Sequence, residues 1–173
     1  NQAIAAGRAG ARILYAGAVG PDAFASVAKE FYDDEGFACQ LIEKPGYSSG
    51  TAAILVDEEG QNQIIVALGA NGVLHPKDVP VEIITAAKIL VCQLEANLDA
   101  TAYFLQTAHE AGVTTILNPA PMRPDFDPAI LGNVDILAPN ETEFASIVEC
   151  LNLDDQDKDP LDYEAEELDG LRQ

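Results

Sequence analysis

Short apolar runs alternate with longer amphipathic segments along much of the chain. The mainly apolar run at 12–17 predicts a buried strand, and Pro21 starts a helical pattern that continues to about Glu35. The same rhythm returns after residue 88. Parallel strands need crossover helices, so this alternation predicts an α/β fold built on a parallel sheet. The elements predicted in this second part are strands at 88–94, 113–117 and 134–138, helices at 98–111 and 140–151, and a helical turn at 127–131.

The segment 38–68 has a different pattern. It contains three short β-rich runs, at 38–43, 51–57 and 62–68, and the last two flank a Gly-containing loop. No helical pattern separates the three runs, which predicts a small antiparallel sheet inserted into the α/β fold. The Gly-Ala-Asn-Gly sequence at 69–72 is predicted to be a turn, since a phosphate-binding P-loop is longer and also needs Lys and Ser or Thr.

Length and the two ends define the expected domain organisation. A chain of 173 residues suits one domain, and a hydrophobic content of 48% excludes general disorder. A helical pattern is already present at 2–6 without a start signal, and another stops at Gln173 without an end signal. We therefore expect residues 1–173 to be a partial domain, an internal piece of a longer protein.

The charge of the chain is strongly negative. Nine Lys and Arg stand against 29 Asp and Glu, giving a formal net charge of −20. Such a surface repels nucleic acid and anionic membranes, so neither is an expected partner. The acidic run at 149–173 is typical of a solvated loop and helix face, with a binding tail as the alternative.

The cysteine and histidine residues predict no special chemistry. The three cysteines are far apart and form no C-x-x-C motif, which argues against disulfides and a zinc site. His75 and His109 have no catalytic partner at a recognisable spacing, so surface or structural roles are expected. No apolar stretch is long enough for a membrane span, no signal peptide is present, and a cytoplasmic location is expected.

Polar side chains follow three of the predicted parallel strands. Glu95 comes after the first strand, Asn118 after the second, and Asn140 with Glu143 after the third. Ligands of open parallel sheets bind at the carboxyl ends of the strands. The sequence therefore predicts a polar small-molecule site at this edge.

Each of these residues also has a structural interpretation. Asn140 and Glu143 have the spacing of a helix capping box, and Glu95 could be a surface residue before a helix capped by Asn97. Asn118 before proline is typical of a turn. A cap and a ligand site are compatible, because a helix N-terminus favours phosphate and a nearby carboxylate can hold Mg²⁺, usually through water.

Five segments occur in the same order and at compatible spacing in one known family. They are NQAIAAGRAGA at 1–11, SGTAAILVDEEGQNQIIVALGAN at 49–71, QLE at 93–95, LNPAP at 117–121 and PNETE at 139–143. Together they resemble the ribokinases of the PfkB carbohydrate kinase family. The resemblance implies part of a ribokinase-like parallel-sheet sandwich, in which the inserted strands within 38–68 form a small β-sheet lid.

The resemblance also implies an activity and roles for individual residues. Asn1 and Glu95 match family residues that bind the sugar, and Asn140 and Glu143 match residues beside the nucleotide phosphates and Mg²⁺, with Glu143 on the metal side. The implied reaction transfers the γ-phosphate of ATP to the primary hydroxyl of ribose, giving ribose 5-phosphate. A monovalent cation such as K⁺ and a homodimer formed through the lid are further features of the family.

Several family motifs do not occur in the sequence. The first-strand Asp that holds sugar hydroxyls, the Gly-Gly-Lys before the matched Asn1, and the Gly-Ala-Gly-Asp segment with the catalytic Asp are absent. The resemblance implies that the catalytic Asp, which acts as the base, lies beyond Gln173. None of the 173 residues is therefore expected to be the catalytic base. We therefore expect these residues to be inactive by themselves. The alternatives are a PfkB kinase for fructose, a sugar acid or a nucleoside, and a non-catalytic sugar-binding or assembly module.

Overall fold

The computed structural model of the chain describes residues 1–57, 59–60 and 62–151. These residues form two compact units: residues 1–80 with 95–100, and residues 81–94 with those from 101 onward. In chain order the elements are α1 (Gln2–Arg8), β1 (Leu14–Val19), α2 (Ala23–Asp34), β2 (Ala38–Glu43), β3 (Thr51–Val56), β4 (Asn62–Ala67), α3 (Val81–Thr85), β5 (Ile89–Cys92), α4 (Leu98–Glu110), β6 (Thr114–Leu117), β7 (Ile136–Leu137) and α5 (Glu141–Cys150).

The described residues stop before the end of the chain, at residue 151. The acidic run at 149–173, predicted to be a solvated loop and helix face, lies outside the described residues from residue 152 onward. The expectation that the catalytic Asp of the family follows Gln173 therefore stays a prediction.

The first unit contains a strand–helix–strand motif. β1 and β2 pair in parallel, with Leu14 opposite Ala38 and Val19 opposite Glu43, and α2 forms the crossover between them. The prediction that 38–43 belongs to an antiparallel insertion is wrong. α2 returns the chain to the start of the sheet, so β2 runs in the same direction as β1.

The other two strands of this unit form the predicted antiparallel hairpin. β3 pairs with β4 from Thr51 opposite Ala67 to Val56 opposite Asn62. All six residues of β3 are exposed, on both faces of the hairpin. A lone two-stranded hairpin is marginally stable in water, so its attachment to the rest of the unit determines its position.

The second unit is built on the predicted parallel sheet. Its strand order is β5–β6–β7, with Ile116 of β6 paired to Ile136 of β7. The core of this unit includes the buried side chains of Leu94, Leu105 and Leu117. The pattern does not predict the short helix α3. No helix in the described part of the chain is long and apolar enough to cross a membrane.

Hydrogen bonds from Thr115 to Asn133 and Asp135 explain why a threonine occupies β6, the middle strand of this sheet. The Thr115 hydroxyl is buried and donates to the Asn133 carbonyl oxygen at 2.7 Å. The Thr115 backbone N–H donates to Asp135 Oδ2 at 2.8 Å, and the hydroxyl also lies 3.0 Å from this oxygen. The hydrogen bonds from Thr115 to the carboxylate lower the pKa of Asp135. His109 Nδ1 lies 3.5 Å from Asp135 Oδ1, in agreement with the structural role expected for this histidine.

Candidate functional site

Glu95 lies in the middle of a short loop, residues 93–97 (the Glu95 loop), that connects β5 to α4. Its side chain is exposed, as a residue that meets a soluble ligand must be. Burial raises the pKa of the Tyr15 phenol, and the negative charge of Glu95, in the same unit, adds to this rise. Asn97 Oδ1 accepts from the Ala100 backbone N–H at 3.0 Å, which confirms the predicted cap.

The Glu95 loop is held by a 3-10 helix, Gly69–Val73, that follows the hairpin. The Asn97 backbone N–H donates to the Asn71 carbonyl oxygen at 2.9 Å, and Asn97 Nδ2 donates to the Gly72 carbonyl oxygen at 3.3 Å. The sequence predicts only a turn at 69–72. The structure shows that this segment supports the loop that carries Glu95.

Asn71 also contacts the end of β1. Its Oδ1 accepts from the Ala18 backbone N–H at 2.9 Å, across 53 positions of sequence. Ala18 is 3% exposed, so its N–H depends on this acceptor rather than on water. An asparagine between two glycines gives only a turn signal, and for this reason the sequence does not reveal the contact.

The start of the hairpin, residues 48–50 (the hairpin base), is held by a second network. Asp22 Oδ2 accepts from the Ser49 backbone N–H at 2.7 Å, and Asp22 Oδ1 accepts from the Ser49 hydroxyl at 2.7 Å. The Gly20 backbone N–H donates to Ser49 Oγ at 3.0 Å. The hydrogen bonds from Ser49 lower the pKa of Asp22, so the carboxylate stays ionised and keeps both bonds near neutral pH.

Asn1 lies at the start of α1 in the same unit as Glu95. Its carbonyl oxygen accepts from the Ala5 backbone N–H at 2.9 Å, while its side chain makes no capping hydrogen bond. No hydrogen bond or ion pair joins the side chains of Asn1 and Glu95 within the described residues. The structure thus places both candidates in one unit and leaves their joint role a prediction.

Asn140 and Glu143 lie together at the N-terminus of α5, in the second unit. Asn140 Oδ1 accepts from the Glu143 backbone N–H at 2.8 Å, and Glu143 Oε2 accepts from the Asn140 backbone N–H at 2.9 Å. Asn140 Nδ2 donates to Glu143 Oε1 at 3.1 Å. The capping box anticipated from the spacing is present, and Glu143 as a whole residue is 8% exposed.

Asn118 joins the three strand ends of the second unit. Its backbone N–H donates to the Cys92 carbonyl oxygen at 2.9 Å, and its Nδ2 donates to the Ala138 carbonyl oxygen at 2.7 Å. The Leu94 backbone N–H donates in turn to the Ala120 carbonyl oxygen at 3.1 Å. Asn118 therefore does more than form a turn, because it ties the carboxyl ends of β5 and β7 to β6.

The carboxylates available in this unit suit a metal that keeps water ligands. Among the described residues, no group of three or more His, Cys, Asp and Glu could enclose a metal ion. Both Glu143 oxygens accept hydrogen bonds, and each keeps a further lone pair. Mg²⁺ is usually bound by one or two carboxylates together with water and substrate phosphates, so Glu143 fits a magnesium site of that kind.

Comparison with known proteins decides the family. Residues 1–164 match the family described as pfkB family carbohydrate kinase. The chain belongs to this family. The PfkB resemblance predicted from the five segments is confirmed.

Two curated PfkB-type relatives are similar at the sequence level. A ribokinase from Mus musculus is 34% identical over 146 residues, which are 83% of this chain and 45% of the relative. A deoxyribokinase from Salmonella typhi is 33% identical over 146 residues, 83% of this chain and 48% of the relative. The chain thus spans about half the length of the curated relatives that it matches.

A solved structure confirms the predicted fold class. A ribokinase from Arabidopsis thaliana, in complex with ribose and ATP, superposes with a TM-score of 0.71 at 26% sequence identity. The superposition covers 86% of this chain and 49% of the ribokinase chain. The α/β fold described above is therefore part of a ribokinase-like fold.

Proposed function

We propose that the protein to which this chain contributes transfers the γ-phosphate of ATP to the primary hydroxyl of ribose. Family membership supports a carbohydrate kinase, and the mouse and Arabidopsis relatives are ribokinases. The observation in this chain that carries the proposal is the Asn140–Glu143 pair, a buried carboxylate held at a helix N-terminus. Phosphate and Mg²⁺ are the ligands that such an arrangement suits.

On the phosphate side, α5 and its capping box provide a preorganised anion site. The positive end of the helix dipole favours phosphate, and Asn140 holds the Glu143 side chain in one orientation by two hydrogen bonds. Glu143 would hold Mg²⁺ through water, and the ion would offset the negative charge of the phosphates. Because the side chain is already fixed, little reorganisation is needed when the nucleotide binds.

On the sugar side, Glu95 and Asn1 are the proposed ligands. The exposed Glu95 carboxylate can accept hydrogen bonds from two sugar hydroxyls, and such charge-assisted bonds are stronger than neutral ones. The side-chain amide of Asn1 has a hydrogen-bond donor and an acceptor, so it can either donate to a sugar hydroxyl or accept from one. Together these groups would orient the primary hydroxyl for attack.

The reaction also needs a base for the proton of the attacking hydroxyl. The sugar oxygen forms a bond to the γ-phosphorus, the bond to the ADP oxygen breaks, and the proton passes to the base. The 173 residues contain no Gly-Ala-Gly-Asp segment, in which the family carries this Asp. We therefore assign this chain the lid, part of the sugar site and the phosphate side, and expect no turnover from these residues alone.

The hairpin β3–β4 is the proposed lid. Ile54 and Leu55 are neighbours on β3 and point to opposite faces, and they are 61% and 55% exposed. An apolar hairpin exposed on both faces gains stability when both are covered. The sugar site on one side and the hairpin of a second subunit on the other would cover them.

A 2-deoxyribose kinase is the second candidate. The Salmonella typhi relative is a deoxyribokinase, and at 33% it is almost as similar in sequence as the mouse ribokinase. The two sugars differ by one hydroxyl. An enzyme that hydrogen-bonds the 2-hydroxyl of ribose would reject deoxyribose strongly, so relative kcat/KM separates the candidates.

The experiment measures ADP release by the complete encoded protein with Mg²⁺-ATP and one sugar at a time. We expect turnover with ribose and test 2-deoxyribose, fructose and adenosine in parallel. A higher kcat/KM with another of these acceptors would replace ribose in the proposal. Ribose binding by calorimetry without turnover on any acceptor would instead favour a non-catalytic sugar-binding module.

Replacing Glu143 with glutamine separates its charge from its role as a cap. Gln supports a capping box nearly as well as Glu, so the free energy of unfolding should change little. Loss of the carboxylate should lower kcat about tenfold or more, with the ribose Kd unchanged, because one group that stabilises transferring charge is removed. Kinetics, calorimetry and thermal melting on the same protein provide the three measurements.

The matched control is Glu149→Gln, an exposed carboxylate on the same helix. This control should leave kcat unchanged. If Glu143→Gln keeps the original kcat, Glu143 is a helix cap and has no role at the phosphates.

A further inference from the structure

Asn71 contacts three segments that the proposed sugar site depends on. We propose that Asn71 is a positioning residue: it holds the Glu95 loop, through Asn97, in a fixed place relative to the hairpin base and β1. The inference rests on the proposed sugar kinase function, in which Glu95 binds the sugar. It assigns a role to the Gly-Ala-Asn-Gly segment, whose sequence indicates only a turn.

The contact with β1 fixes the Asn71 side chain. Its Oδ1 accepts from the Ala18 backbone N–H at 2.9 Å, and Ala18 is buried at the carboxyl end of the strand. Removing this acceptor would leave a buried N–H without a partner, which costs more than an exposed hydrogen bond does. Asn71 therefore has a strong preference for one orientation.

The contact with the Glu95 loop is made by the Asn71 backbone. Its carbonyl oxygen accepts from the Asn97 N–H at 2.9 Å, two residues beyond Glu95. Asn97 is in turn the cap of α4, with Oδ1 bound to the Ala100 N–H at 3.0 Å. A displacement of Asn71 would therefore move the start of α4 and the backbone that carries Glu95.

The contact with the hairpin base is a close approach. A Cβ atom placed on Gly50 would lie 2.9 Å from Asn71 Nδ2, so the amide group packs directly against the start of the hairpin. The backbone N–H of the preceding residue, Ala70, donates to the Ser48 carbonyl oxygen at 2.8 Å. Asn71 and its neighbour Ala70 thus join the hairpin base to the Glu95 loop.

The test uses Asn71→Ala in the complete encoded protein, with KM measured separately for ribose and ATP. We expect the ribose KM to rise about tenfold, because misplacement of a binding group on the order of 1 Å can cost up to about 10²-fold. The ATP KM should change less than about twofold. Asn71→Asp keeps an acceptor for the Ala18 N–H and should recover most of the ribose affinity.

Asp127→Ala is the matched control. Asp127 Oδ1 accepts from the Ala129 backbone N–H at 2.9 Å, a backbone-to-side-chain bond of the same length that is exposed and local, in the other unit. It should leave both KM values unchanged.

One outcome overturns the inference. If Asn71→Ala raises the ribose KM and the ATP KM by equal factors, the substitution causes a general loss of structure. If Asn71→Ala does not fold, Asn97→Ala removes the Asn97 Nδ2 bond to the Gly72 carbonyl oxygen, a second link between the Glu95 loop and the 3-10 helix, and should give the same ribose-specific rise.

A double-mutant cycle tests whether Asn71 acts through Glu95. Residues that act as one unit have non-additive effects, so Asn71→Ala should change the ribose KM much less in a Glu95→Gln background. Additive effects would show that Asn71 acts independently of Glu95 and would overturn the inference. Absence of sugar turnover in the unaltered protein would instead refute the proposed function, a result distinct from turnover with an unaffected ribose KM in Asn71→Ala.

Discussion

Replacing Gly69 with alanine is expected to lower the free energy of unfolding by about 2–5 kcal/mol. The residue has φ +52, which costs a residue with a Cβ about 1–2 kcal/mol. The added Cβ would also clash with the Ser48 carbonyl oxygen and lie 2.9 Å from the Gly50 nitrogen. Backbone must shift to relieve these contacts, and overpacking of this kind adds about 1–3 kcal/mol. Denaturant unfolding of the complete encoded protein measures the change.

Gly36→Ala is the matched control for this prediction. Gly36 also has a positive φ, +72, but an added Cβ would meet nothing within 4 Å. It should therefore cost only the conformational part, about 1–2 kcal/mol. Equal destabilisation by both substitutions would show that the segment 48–50 yields easily, contrary to the tight packing described for the hairpin base.

Replacing Glu95 with alanine is expected to raise the ribose Kd by about 10- to 150-fold. A hydrogen bond to a charged group contributes about 1.5–3 kcal/mol, and this range converts to that loss of affinity. The nucleotide Kd should change little, since Glu95 is proposed to contact the sugar only. Titration calorimetry of the complete encoded protein with each ligand gives both constants.

Asp99→Ala serves as the control for the loss of a nearby carboxylate. Asp99 is exposed and lies in the first turn of α4, four residues after Glu95. It should leave the ribose Kd unchanged. An unchanged ribose Kd in Glu95→Ala would make Glu95 an ordinary surface residue, and equal weakening of both ligands would indicate a general structural defect.

The apolar pattern predicts the local structure of the fold better than its strand pairing. The hairpin and the parallel sheet of the second unit are confirmed, because apolar runs bounded by turn residues strongly indicate strands. The placement of 38–43 is wrong, since a strand pattern does not specify which neighbour the strand will join. Pairing depends on the crossover made by α2, a tertiary property.

The candidate site was predictable where its contacts are local. Asn140 and Glu143 are three positions apart, so their capping box follows from spacing alone. The role of Asn71 depends on contacts with Ala18 and Asn97, which are 53 and 26 positions away. A single sequence does not show directly which residues so far apart along the chain will be in contact. The function of Glu95 and Asn1 stays a prediction, because their partners are ligand atoms.

The exposed hairpin creates a hazard during synthesis and folding. Both of its strands lack charged side chains and are rich in Ile, Val and Ala, a composition that favours intermolecular β-pairing and aggregation. The acidic residues Asp57, Glu58 and Glu59 follow β3 directly. Clustered charge beside an apolar strand acts as a gatekeeper, because stacking identical chains in register would bring like charges together. These carboxylates would thus protect the nascent protein from self-association while its hairpin is exposed.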